Sequence, residues 1–231
     1  MTMETIRADF DRLSAFDSVG WNHNNHYHPT LLRQVPESCT ESLEIGCGTG
    51  TFTRLLGQRS GHVLGLDLSP EMVRIARERS VDLLNIEYSL VDVLEWTFPA
   101  ERFDCIASIA TLHHLPLEEM LKKMKNALKP GGVLLILDLF KASGLSDLLL
   151  SAAAFPASFF MRLGKTGLAR SSRMERQAWD EHGKHDQYLK VPEVRRICRN
   201  TLPGATIRKH FFWRYSITWR KPVQARIEAS R

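Results

Sequence analysis

Leu43-Glu44-Ile45-Gly46-Cys47-Gly48-Thr49-Gly50-Thr51 is the stretch from which the rest of the chain can be read. Leu43 to Ile45 reads as the end of a buried strand, and three glycines at alternate positions let the backbone turn with no side chain in the way, so that a ligand can approach it closely. Thr51 then caps a helix carrying Phe52, Leu55 and Leu56. Strand, glycine turn and helix in succession open a doubly wound nucleotide-binding sheet. A dinucleotide loop of the form G-x-G-x-x-G needs glycine at position 51, where the helix packs on its strand, and threonine there argues against that ligand class.

The chain has 231 residues, of which 43% are hydrophobic. A chain of this length buries roughly 70% of its unfolded surface, which predicts one domain over residues 1–231. Within it, residues 1–41 form an N-terminal cap segment and residues 139–190 a helical lid insertion. Met1 to Phe10 carries Glu4, Arg7 and Asp9 and no apolar core of signal-peptide length, so a cytoplasmic chain is expected. Cys39, Cys47, Cys105 and Cys198 are scattered, without a C-x-x-C pair, and read as small hydrophobes. The net charge of +5 is unevenly spread. Residues 1–140 hold 13 Lys and Arg against 19 Asp and Glu, whereas residues 141–231 hold 18 against 7. A basic C-terminal third suits an anionic substrate, a nucleic acid or a membrane surface, and equally a solvated face.

Downstream of the glycine turn the chain keeps alternating. His62 to Leu66 is a short strand ending at Asp67, and Ser69-Pro70-Glu71 starts a helix with a capping residue and a first-turn proline. An acid about 20 residues past the first glycine is placed to accept hydrogen bonds from ribose hydroxyls, although it also suits a helix entry. Ile86 to Val91 is a third strand ending at Asp92-Val93, a carboxylate and backbone N–H suited to reading adenine. Phe103 to Ile109 is a fourth, followed by Thr111-Leu112-His113-His114-Leu115. Leu117, Met120, Leu121, Met124 and Leu128 mark an amphipathic helix that stops at Lys129-Pro130-Gly131-Gly132, and Val133 to Leu137 is a fifth strand ending at Asp138. Ligands of open α/β sheets sit outside the carboxyl ends of the strands, where Asp67, Asp92, Ile109, His113 and His114 all fall.

In order and spacing, L-E-I-G-C-G-T-G, L-D-L-S, V-D-V, F-D-C-I-A-S-I-A-T-L-H-H-L and L-K-P-G-G-V-L-L-I resemble the class I S-adenosylmethionine-dependent methyltransferase family over about residues 42–138. The resemblance implies an α/β fold with a doubly wound, seven-stranded, mostly parallel Rossmann-like sheet and a small helical cap. It also implies S-adenosylmethionine as cofactor. Gly46 and Gly48, with Gly50 in the same loop, would lie against its methionine part and Glu44 would support its amino group. Asp67, with Leu68 beside it, would hold the ribose. Asp92 and Val93 would read adenine, and backbone near Ser108 and Ile109 would complete the methionine pocket.

The acceptor side has to be read from the residues alone. Val19 to Pro29, with Trp21, His23, His26, Tyr27 and His28, is too rich in polar groups for a core element. It suits either a cover over a ligand, with Trp21, His26, Tyr27 and His28 as substrate-binding candidates, or a surface segment capping a helix from Thr30 to Gln34. His26 and His28 lack partners at metal-site spacing, and no metal is expected. Leu148 to Met161 is free of charge and contains Pro156; at fourteen residues it is too short to cross a bilayer. It predicts a helical cap lined by Phe155, Phe159, Phe160 and Met161, with attachment to a membrane surface as the alternative. Glu175 to Tyr188, with Trp179, His182, His185 and Tyr188, returns the chain to the sheet, and Phe159 and Trp179 complete the substrate candidates.

Val191 to Leu202 reads as a helix, and Ala205 to Phe212 and Tyr215 to Trp219 as two closing strands. Arg208, Lys209, Arg214, Arg220 and Lys221 interleave there with Phe211, Phe212, Trp213, Tyr215 and Trp219. The same letters suit single-stranded RNA or an ordinary half-buried strand pair. A base is needed only if the acceptor must lose a proton. His114 and His113 are the first candidates, either one equally able to pack and bond the backbone, with His28 and Tyr27 next. The expected activity is methyl transfer to a small molecule under the lid. The alternatives are an RNA or protein methyltransferase using the basic C-terminal part, and a non-catalytic S-adenosylmethionine-binding module.

Overall fold

A computed structural model describes residues 3–16, 21–167, 172–183, 186 and 188–223. Val19, Gly20 and His185, singled out above, lie outside them. Seven strands form one sheet: β1 (Cys39–Ile45), β2 (Ser60–Asp67), β3 (Ile86–Leu90), β4 (Phe103–Ile109), β5 (Leu128–Leu139), β6 (Thr206–Lys209) and β7 (Arg214–Arg220). Their order is β3-β2-β1-β4-β5-β7-β6, parallel from β3 to β5, with β7 antiparallel to both β5 and β6. The doubly wound, mostly parallel sheet is therefore as expected, including its antiparallel edge.

Among the described residues the α-helices are α1 (Met3–Leu13), α2 (His28–Leu32), α3 (Thr51–Gly57), α4 (Pro70–Glu78), α5 (Leu117–Ala127), α6 (Leu145–Thr166), α7 (Arg173–Gly183) and α8 (Val191–Thr201). The central strands are buried on both faces, which is why they read as continuous apolar runs. One face of the sheet packs Leu43, Ile106, Leu134 and Ile217 against α5 and α8. The other packs Val63, Cys105, Leu135 and Leu137 against Phe52, Leu56, Tyr27 and Phe212.

Four local readings change. Thr51 is the first residue of α3 and the cap is Gly50, at φ +76°, a conformation costly for any residue with a Cβ. β5 begins directly after α5, and its Lys129-Pro130-Gly131-Gly132 stretch forms an irregularity against β4, with Gly131 at φ +82°. α1, not foreseen, buries Ile6 and Leu13 and packs against α4 and α7. On α6, Phe155, Phe159 and Phe160 face outward, while Ala154, Ala157 and Met161 carry the packing against Trp21, Phe212 and Trp213. Small residues at helical spacing let α6 come close to the turn between β6 and β7, where only the edge of the Phe155 ring, 5.0 Å from that of Trp213, reaches the contact.

Candidate active site

The glycine turn leaves β1 under several constraints at once. Gly46 and Cys47 donate their backbone N–H groups to Leu66 O, at 2.8 and 3.0 Å, which ties the turn to the end of β2. Gly46 has φ +71°, and a Cβ there would come within 2.1 Å of Thr111 Oγ1; one at Gly50 would meet Tyr88 Oη at 2.3 Å. Gly48 differs: at φ +52° a Cβ would meet nothing within 4 Å. Open space thus faces its bare backbone, the cradle a closely approaching ligand requires.

Carboxylates surround that space. Asp67 accepts from Gly48 N–H at 2.7 Å and from Ser69 N–H at 2.9 Å, one bond to each oxygen, so the carboxylate is held in place while each oxygen keeps a lone pair. Burial raises its pKa against the pull of these backbone donors. Glu44 is buried in β1 and accepts from Thr53 Oγ1 at 2.5 Å. Burial first, and then the charge of Asp67, push it up to about 8. Asp92 Oδ1 accepts from Leu94 N–H at 2.9 Å, next to buried Val93, and Ser108 Oγ donates to Ile45 O at 3.0 Å. Glu44, Gly46, Gly48, Gly50, Asp67, Leu68, Asp92, Val93, Ser108 and Ile109 are thereby brought to the carboxyl ends of four neighbouring strands. An open bend, a clamped carboxylate and a second buried acid fit an adenosine cofactor with an ammonium at its other end.

Past β4, Ala110 at φ +52° redirects the chain into a single 3-10 turn, Leu112–His114. His113 Nδ1 lies 2.6 Å from Asp138 Oδ1 at the end of β5. In the neutral ring, with Asp138 as acceptor, Nδ1 carries the proton and Nε2 presents the lone pair. The His114 ring lies 3.9 Å from that of His113, tilted by 46°, and burial, followed by the charge of His113, lowers its pKa to about 4. Asp186 and His182 stand beside this pair, and His182 Nδ1 lies 3.3 Å from Asp9 Oδ2 of α1. A cleft of about 840 Å³ runs along the turn, lined by Ile6, Leu112, His113, His114, Leu189 and Ile197.

The N-terminal candidates gather elsewhere. Tyr27 Oη donates to Phe211 O at 2.7 Å, His28 packs on Phe52 and is lowered by burial to about 4, and Trp21 and His26 meet Phe212 edge to face. These four residues form a layer between the end of β6 and α3, apart from the His113 turn. Phe159 is exposed on α6 against Phe160; Trp179 is half exposed, with its ring 5.9 Å from that of His182. Asp9 and Asp186 carry no sequence signal of their own. Asp138 does, because it ends its strand as Asp67 ends β2.

A family model described as a methyltransferase domain matches residues 43–132. An uncharacterized methyltransferase of Mycobacterium tuberculosis is 29% identical over 210 residues, covering 88% of this chain and 98% of that protein. The ubiquinone biosynthesis O-methyltransferase of Xylella fastidiosa is 28% identical over 144 residues, 56% of this chain and 58% of that one. Among solved structures, the N-methyltransferase NodS of Bradyrhizobium japonicum, in complex with S-adenosyl-L-homocysteine, superposes with a TM-score of 0.63 at 20% identity, over 94% of this chain and 98% of that one.

Proposed function

We propose that the chain is a class I S-adenosylmethionine-dependent methyltransferase whose acceptor is a small molecule that enters at the His113 turn under α1 and the α7 region. The observation that carries this reading is the enclosure of the turn: the imidazoles are almost wholly buried beside a cleft of about 840 Å³, within the usual range of small-molecule sites. The relative from Xylella fastidiosa, named for ubiquinone biosynthesis, agrees with a small organic acceptor. The burial of Phe212, Tyr215 and Trp219 in the core removes most of the aromatic platform that RNA stacking would use.

When bound, the cofactor supplies a sulfonium methyl group whose positive charge disappears on transfer. The residues of the chain do the rest. Gly46 and Gly48 expose backbone to it, Asp67 and Asp92 fix ribose and adenine, and Glu44 pairs with the amino group. His113, oriented by Asp138, takes a proton from an acceptor hydroxyl at Nε2. His114, with its lowered pKa, is the weaker base and serves to wall the site.

Incubating the protein with radiolabelled methyl donor and fractionated cell extract tests the acceptor class. Label is expected in a low-mass fraction, with His113→Asn lowering kcat by about 10²- to 10⁴-fold while cofactor affinity is kept. Label in precipitated RNA or protein, or full turnover by the variant, overturns the reading.

A further inference from the structure

Three imidazoles and a carboxylate converge beside the cleft. His114 Nδ1 lies 3.4 Å from Asp186 Oδ1, His182 Nε2 lies 3.8 Å from the same oxygen, and His113 Nε2 lies 4.0 Å from Asp186 Oδ2. One ligand atom from each of His113, His114 and Asp186 falls within 4.8 Å of the others. Bond lengths of about 2.0–2.1 Å to a tetrahedral zinc ion set neighbouring donors about 3.3 Å apart, so one pair already has that spacing and the others need a small side-chain rotation. The side chains of His113, His114, His182 and Asp186 are 6%, 5%, 3% and 2% exposed. His114 Nε2 and Asp186 Oδ1 have no hydrogen-bond partner among the described residues, although a buried polar atom costs stability unless it is satisfied.

The outer contacts match as well. His113 presents Nε2 to the centre because Asp138 holds its Nδ1, and His182 presents Nε2 because Asp9 holds its Nδ1. A carboxylate on the far nitrogen is the arrangement that orients metal-ligating imidazoles and raises their basicity. Tyr188 Oη donates to Asp186 Oδ2, which fixes the carboxylate and leaves Oδ1, beside His114 Nδ1 and His182 Nε2, without a hydrogen-bond donor among the described residues. The donor set contains no thiolate, and imidazole nitrogens outnumber the carboxylate, which suits zinc-like ions over magnesium or calcium.

We propose that His113, His114 and Asp186, with His182 as a fourth donor, form a binding site for one divalent ion of the zinc class at the mouth of the acceptor cleft. The ion and a proton compete for the same lone pair on His113, so the base role proposed above belongs to the ion-free protein. The inference extends the function proposed above without depending on it, because uptake of the ion is read without turnover.

Protein stripped with a chelator and freed of it is titrated with Zn²⁺ by calorimetry and with Co²⁺ by absorption. About one ion per chain is expected, with imidazole scattering in the X-ray absorption spectrum of the loaded protein. Asp186→Asn should weaken uptake by at least about tenfold while S-adenosylmethionine still binds, which shows that the variant is folded. If that variant loses cofactor binding as well, His182→Gln is read in the same way. No saturable uptake, equal uptake by a folded variant, or an absorption spectrum without imidazole overturns the proposal. If the ion binds and label goes to RNA, the site stands and the small-molecule reading falls.

Discussion

At Asp67 and Glu44 two carboxyl groups occupy the same low-dielectric corner, and only one of them is surrounded by donors. Asp67 has two backbone N–H groups, whereas Glu44 has the Thr53 hydroxyl alone; burial, with the charge of Asp67 added, outweighs that one donor and pushes Glu44 up to about 8. In the free protein Glu44 is therefore protonated at neutral pH. An incoming ammonium favours the carboxylate, so its folded free-state pKa of about 8 falls on binding and a proton is released. Affinity for S-adenosylmethionine should accordingly climb as the pH rises through the window from about 6 to 8, and level off above it. At pH 7 the calorimetric binding enthalpy should differ between phosphate and Tris by the difference of their protonation heats for about one proton. Identical enthalpies in the two buffers would remove Glu44 from the amino-group site. Asp67, like the glycine turn, was legible in the sequence from its spacing at the end of the second strand, and Glu44 through the family resemblance. Asp186 was not, since its role depends on α7 and α1 arriving at the same place, which no local pattern encodes.

Among the elements, α6 shows how composition predicts a helix without predicting its face. The charge-free run suggested a cap lined by phenylalanines, yet beside the packing of Ala154, Ala157 and Met161 the helix is tied down by polar groups: Trp213 Nε1 donates to Ser151 Oγ at 2.8 Å, and His23 Nε2 pairs with Ser158 Oγ at 2.8 Å. Lys209 pairs with Asp147 at the helix start. Losing one such bond costs about 1 kcal/mol, a factor of about five in an opening equilibrium. Ser158→Ala should therefore speed hydrogen exchange along α6 by about fivefold and leave exchange in β1, β4 and β5 unchanged. Unaltered exchange in α6 would mean that apolar contacts through Ala154 and Met161 hold the helix alone. The exposed row of Phe155, Phe159 and Phe160 remains on its outer side, and among the described residues no helix is long and apolar enough to cross a membrane.

On the scale of the whole molecule, β1 and β2, β2 and β3, and β4 and β5 are sheet neighbours, whereas the connection from β3 to β4 passes over β2 and β1. Alternation of strands and helices in the sequence pointed to a doubly wound parallel sheet; its seven strands and antiparallel edge came from the family resemblance. The basic C-terminal third looked like a nucleic-acid surface in the letters, but the fold divides it: Tyr215 and Trp219 enter the core, buried Arg214 bonds Asn24 Oδ1 at 2.7 Å, and Lys221 pairs with Glu101 across the sheet end. Charge in a sequence says how many basic groups there are; only the fold says which of them face a partner. The architecture's central claim is that an open glycine bend and the clamped carboxylate beside it grip an adenosine cofactor. Calorimetric titration of the intact chain with S-adenosylmethionine, beside NADPH and the Asp67→Ala variant, tests it most directly. Saturable binding of S-adenosylmethionine alone, weakened by about 1 to 3 kcal/mol in the variant, is the predicted result; tighter binding of NADPH, or affinity untouched by loss of the carboxylate, would contradict it.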